Sequence, residues 1–154
     1  MTRCALPPGI QVLERGWLSA NNVLLFDGPE ATLVDSGYVS HAAQTLALIR
    51  DALDGRRLER LINTHSHSDH IGCNAAVQRA FACRIGVPAG MAEMVEHWDE
   101  AALLLSVAAQ QGERFRADHL ITAGERLYMG GLEWQALPAP GHDMDALLFH
   151  APDA

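Results

Sequence analysis

His65-Ser66-His67-Ser68-Asp69-His70 is the stretch on which the reading of this chain turns. Three imidazoles and a carboxylate fall within six residues, shortly after the apolar pair Leu61-Ile62. Packing does not explain such crowding, because every one of these side chains carries polar atoms that need partners when buried. Imidazole and carboxylate together are the donor set of a borderline divalent cation. On an extended segment leaving a strand, side chains alternate with period two, so His65 and His67 point the same way and can grip one metal. Asp69 and His70 then open a helix, where the dipole favours the Asp69 carboxylate, and the turn lets both face a second metal beside the first. A solvated polar loop is the competing reading, and it leaves the density of histidines at this one place unexplained.

The bulk properties bound the rest. A chain of 154 residues suffices for one domain with a real core, and 49% apolar with 19% charged residues is ordinary for a globular protein. A net charge of -8 argues against nucleic acid as the partner. Bound divalent metal reverses that sign locally, so a small-molecule substrate, even an anionic one, stays open. Three cysteines, Cys4, Cys73 and Cys83, are an odd and sparse set that does not read as a disulfide framework, and a reducing cytoplasm is expected. Residues 1–9 lack the apolar core of a signal peptide. No apolar run reaches spanning length, so no membrane partner is expected.

Around the motif, apolar patterning predicts strands at residues 11–17, 18–26 and 31–34, the last ending at Asp35-Ser36-Gly37. Ala42, Leu46, Ile49 and Leu53 are spaced three and four apart, which predicts a helix over residues 41–53 with Gly55 as its stop. Residues 58–63 read as a buried strand. The six-residue cluster follows at its C-terminal end, where open α/β sheets place their sites. Helices are predicted at 71–81 and 91–111, and strands at 83–87, 127–129, 132–137 and 147–150. The order makes the class mixed α/β.

The cluster resembles the H-x-H-x-D-H motif of the metallo-β-lactamase fold superfamily. Three further stretches match in order: Thr32 to Gly37, like that family's early strand ending in Asp-x-Gly, then Ile71-Gly72, and Pro140-Gly141-His142. The resemblance covers nearly the whole chain. It implies the N-terminal half of an αββα sandwich, a mixed and mainly antiparallel sheet with flanking helices, and residues 1–154 as a single incomplete domain lacking its C-terminal half. It implies that His65, His67 and His142 ligate one metal and that Asp69 and His70 contribute to a second, with two Zn2+ per intact domain and Fe or Mn as alternatives. The family's bridging Asp and final His have no counterpart, because Asp145 and Asp153 lie too close to His142. The implied reaction is hydrolysis of an ester, thioester, lactone or related small substrate through a metal-bound hydroxide, with Asp69 as the catalytic residue that orients the nucleophile and manages its proton.

Two alternatives stand beside this reading. One is a mononuclear iron enzyme like the persulfide dioxygenases, and the other a catalytically incomplete fragment with residual metal binding at His65, His67 and His142. An exposed sheet is expected to be covered by a homo-oligomer or by the missing C-terminal half. Cys73 and Asp143 depart from the family, which often has Gly and Thr or Ser there. Cys73 reads as a small buried residue, and Asp143 as a support of the metal loop or a turn cap. His41, His97, His119 and His150 lack ligand spacing, Asp35 is expected to support the metal loop through hydrogen bonds, and Ser66 and Ser68 read as spacers. Met94 and Trp98 are expected in the core.

Overall fold

In the computed structural model, which describes residues 6–152, short apolar segments separated by turn residues assemble into one six-stranded sheet. β1 (Ile10–Leu13), β2 (Asn22–Asp27) and β3 (Glu30–Val34) form an antiparallel meander. The turn between β2 and β3 is Gly28-Pro29, with Gly28 at φ 53, a conformation that glycine adopts without penalty. β4 (Arg57–Ile62), β5 (Arg84–Pro88) and β6 (His119–Ile121) then add in parallel. Parallel neighbours need crossovers. α1 (Ala42–Leu53) supplies the first, α2 (Ser68–Ile71) with α3 (Asn74–Phe81) the second, and α4 (Ala92–His97) with an irregular segment the third. β7 (Arg126–Met129), β8 (Leu132–Pro138) and β9 (Leu147–His150) form a second, antiparallel sheet.

The core has two layers. Leu33, Ile49, Leu61, Ile71, Val77 and Ile85 bury the helices against the large sheet. Leu25, Ile62, Ile121, Leu127, Met129 and Ala136 bury the two sheets against each other. Ile62 thus faces the second sheet while Leu61 faces the helices, as alternation along a strand requires. Helix, sheet, sheet is the layering expected for one half of an αββα sandwich. Four of the seven strand pairings are antiparallel, and the three parallel ones lie together at β3 to β6. On the outer face of the second sheet, Tyr128 and Leu148 are exposed.

Three local expectations are corrected. The strands expected over 11–17 and 18–26 are shorter, and 14–21 is a loop. There Arg15 N donates to Asn21 Oδ1 at 2.8 Å and Ser19 N to Gly16 O at 2.9 Å, so local bonds replace ladder bonds. The single helix expected over 91–111 stops at His97, and Trp98 takes a left-handed φ of 54. Leu103 and Leu105 are both buried with Leu104 exposed between them, an alternation that one helix face cannot provide. Trp98 instead turns edge-on to Phe115 at 5.9 Å, and Asp99 Oδ1 accepts from the N–H groups of Ala101 and Ala102. The helix expected over 71–81 is two, because α2 already begins at Ser68. β6 was not expected, since three residues are too few to show a period.

Ile71-Gly72 has a steric reason. A Cβ on Gly72 would fall 2.5 Å from Ser68 O, 2.6 Å from Val39 N and 2.9 Å from Gly37 O, all rigid backbone. Gly72→Ala is expected to lower the unfolding free energy by about 2–3 kcal/mol in urea titration. Gly16→Ala, with nothing within 4 Å of the added carbon, should stay within about 0.5 kcal/mol of the parent. Equal stability of the two variants would refute this packing account.

Candidate metal centre

The side chains of the site come from the segments that follow parallel strands β3 and β4, from the short helix α2, and from one loop that reaches over them. Asp35 directly follows β3, Asn63 and Thr64 lead from the end of β4 into the motif, and loop 139–146 between β8 and β9 carries His142. Backbone bonds lock these pieces: Asp35 N to Ile62 O at 2.9 Å, Asn63 N to Gly86 O at 3.0 Å, Ser36 N to His70 O at 2.8 Å, and Leu147 N to Thr64 O at 2.9 Å. Beneath them lies a buried polar cluster in which Ser36 Oγ donates to Asn74 Oδ1 (2.7 Å) and Asn74 Nδ2 to Asn63 Oδ1 (2.6 Å). Asn22 Nδ2 donates to Asp35 O at 3.0 Å. These amides are buried and bonded, so they hold the loop without an unmet polar cost.

His65, His67 and His142 each offer a ligand nitrogen, and these atoms lie within 4.8 Å of one another. His67 Nδ1 and His142 Nε2 are 2.9 Å apart. His65 is the buried member, and its Nε2 has no hydrogen-bond partner among the described residues. An unmet buried nitrogen costs about 1–3 kcal/mol, a cost that a metal at that atom removes. The other ring nitrogen sets the tautomer. Thr64 Oγ1 donates its single hydrogen to Asp35 Oδ2 (2.9 Å), so toward His65 Nδ1 (3.0 Å) it accepts, which leaves Nε2 as a bare lone pair. Burial, and next the adjacent His70, push the His65 pKa down to about 4. Burial and then His142 push His67 down as well. Both rings are therefore neutral at physiological pH, the state that binds metal. Three converging imidazoles suit a zinc-like ion, so the residues present fit a divalent metal.

Asp69 and His70 stand beside this group. His70 Nδ1 lies 2.7 Å from Asp35 Oδ2, and its Nε2 lies 3.4 Å from Asp69 Oδ2. Burial alone would lower the His70 pKa, but the hydrogen bond and charge of Asp35, with Asp69, carry it above its ordinary value. A cavity of about 290 Å³ opens onto His67, Asp69 and His142.

Asp143 holds the third histidine in place. Its Oδ2 accepts from Ser66 N (3.1 Å) and Ser66 Oγ (2.6 Å), and its Oδ1 accepts from Asp145 N (2.8 Å). It is thus both a support of the metal loop and a turn cap, and Ser66 is more than a spacer. Cys73 Sγ points away from the histidines, 3.0 Å from Tyr38 O and 3.5 Å from Thr45 Oγ1, and burial pushes its thiol pKa up. His41 pairs with Ser19 Oγ and His119 with Glu125, His97 closes α4 and His150 lies on β9; none of the four joins the metal group. Met94 and Trp98 pack on the main core. No motif points to Thr64, Asn22, Asn63 or Asn74. The one available signal is the polar pair Asn63-Thr64 set between an apolar strand and the histidines.

Asp35 sits at φ 59, a region that Asn tolerates. Asp35→Asn and Asp143→Ala are each expected to weaken zinc binding 10–100-fold in chelator competition, while Cys73→Ala leaves it unchanged. Undiminished affinity in both carboxylate variants would show that neither supports the ligands.

Over residues 15–154 the sequence matches the model of the Metallo-beta-lactamase superfamily. A hydroxyacylglutathione hydrolase from Anaeromyxobacter dehalogenans is 32% identical over 125 residues, covering 81% of this chain and 39% of that protein. Another from Idiomarina loihiensis is 25% identical over 126 residues, covering 82% and 40%. The chain thus spans about 40% of the length of the curated relatives it matches. A metallo-beta-lactamase from Cronobacter sakazakii with a HARLDQ motif superposes with a TM-score of 0.77 at 23% identity, over 92% of this chain and 54% of that one. A class B3 di-zinc metallo-beta-lactamase from an Alaskan soil metagenome gives 0.71 at 21% identity, over 84% and 49%. These two likenesses concern the fold. The match over residues 15–154, on a helix–sheet–sheet frame with three converging histidines, makes this chain a member of the metallo-beta-lactamase superfamily.

Proposed function

We propose that the protein carrying this chain is a zinc-dependent thioester hydrolase, in which His65, His67 and His142 hold one metal and Asp69 and His70 contribute to a second. The observation that carries the reading is the partnerless Nε2 of buried His65 beside the nitrogens of His67 and His142. Relatives named hydroxyacylglutathione hydrolase narrow the ester-like substrates to thioesters. A metal held here supplies Lewis acidity and a water that ionises near neutral pH. The chain's own residues do the rest. Thr64 Oγ1 keeps the His65 proton on Nδ1, and Asp35 Oδ2 orients His70 with its Nε2 toward Asp69. The Asp69 carboxylate lines the cavity, placed to take a proton from an attacking water.

The donor set favours this over the iron alternative, which commonly uses two histidines and one carboxylate where this chain gathers three imidazoles. Manganese prefers oxygen donors. Cys73 and Cys83 are free and buried, which fits a reducing cytoplasm, and among the described residues no helix is long and apolar enough to cross a membrane. The exposed Tyr128 and Leu148 mark where we place a covering surface, either a second copy or a further part of the protein.

The zinc-loaded full-length protein is expected to hydrolyse S-acyl thioesters, with Asp69→Asn lowering kcat about 10²–10⁴-fold. Oxygen consumption with a persulfide by the iron-loaded protein, without thioester hydrolysis by the zinc form, would overturn the reading.

A further inference from the structure

The cavity that opens onto His67, Asp69 and His142 has a wall of Trp17, Leu18, Leu103, Leu104 and Ala108. Two of these residues are held where folding alone would not leave them. Trp17, on loop 14–21, is 91% exposed. Leu104 is 44% exposed and sits at φ 57, a backbone region that L-residues with a branched side chain rarely occupy. Its neighbours Leu103 and Leu105 are buried, so the chain is anchored on both sides while Leu104 is turned outward. Local strain combined with apolar exposure, at the rim of a cavity floored by candidate metal ligands, is the pattern of a ligand clamp. The segment is also tied to the metal loop, because Ser68 Oγ donates to Gln110 Oε1. At about 290 Å³ the cavity lies at the small end of ligand pockets.

We propose that this wall binds an apolar substituent of the substrate, on the acyl or the leaving side of the scissile bond. The preferred substrate is then a thioester that carries an alkyl or aryl group on that side, a statement that rests on the hydrolase reading above. Covering Trp17 and Leu104 with hydrocarbon removes apolar surface from water on both partners, and each methylene fully buried this way is worth about fourfold in affinity.

The test is calorimetric titration of the zinc-loaded full-length protein with two series: acetate, butyrate and hexanoate for the acyl side, and ethanethiol and butanethiol for the leaving side. Affinity is expected to rise at least tenfold from acetate to hexanoate or at least fourfold from ethanethiol to butanethiol, and the steeper series names the side. Trp17→Ser and Leu104→Asn are expected to flatten the rise without changing zinc stoichiometry. Trp17 is almost fully exposed, and Asn suits the left-handed backbone at 104, so neither change threatens the fold. Two flat series in the parent, or a steep one that survives both substitutions, would overturn the proposal. Binding needs no turnover. A steep series in a protein that hydrolyses no thioester keeps the wall and removes the hydrolase, and a flat series in an active hydrolase does the reverse.

Discussion

The site depends on one buried carboxylate. Asp35 closes β3 in a left-handed conformation and accepts from Thr64 N and Thr64 Oγ1, each at 2.9 Å, and from His70 Nδ1 at 2.7 Å. A charge this far from water is tolerable only when its oxygens are bonded, and the partners that bond them belong to β4's end and to α2. The same contacts that satisfy Asp35 therefore fix the start of the histidine loop, the tautomer of His65 and the orientation of His70. The amides of Asn22, Asn63 and Asn74 extend this lattice below the loop. Rigid support of this kind lets a loop present ligands at defined positions.

The third histidine comes from elsewhere. His65 and His67 sit on the loop that leaves β4 of the large sheet, whereas His142 arrives on the loop between β8 and β9 of the second sheet. Besides the apolar layer between the sheets, the two are joined at this end by the Asp143–Ser66 pair, the contact of His67 Nδ1 with His142 Nε2 and the bond from Leu147 N to Thr64 O. A metal shared by the three imidazoles would fasten one sheet to the other, so its binding energy would also be folding energy.

Much of this was legible in the sequence, for reasons that can be named. The histidine motif is local, so its spacing along a strand end is visible without a fold. Asp35 and His142 sit at turn signals, Asp-Ser-Gly and Pro-Gly-His, which are also local. The supports were not legible. Thr64 acts only because Asp35 lies opposite it, 29 residues away, and Asn74 acts because Asn63 and Ser36 meet it in the interior. Strong helix formers over 91–111 misled for the same reason, since burial of Leu103 and Leu105 together overrides propensity. The cost of that override, an outward Leu104 in a strained backbone, lines the same cavity as His67 and His142 and forms part of its apolar wall.

We propose His65, His67 and His142 as joint ligands of one metal. Zinc-edge X-ray absorption of the zinc-loaded protein tests this most directly. A first shell dominated by imidazole nitrogen at about 2.0–2.1 Å is expected, with one ring fewer in His142→Ala. A sulfur neighbour near the ~2.3 Å of zinc thiolates, or a shell that His142→Ala leaves unchanged, would contradict it.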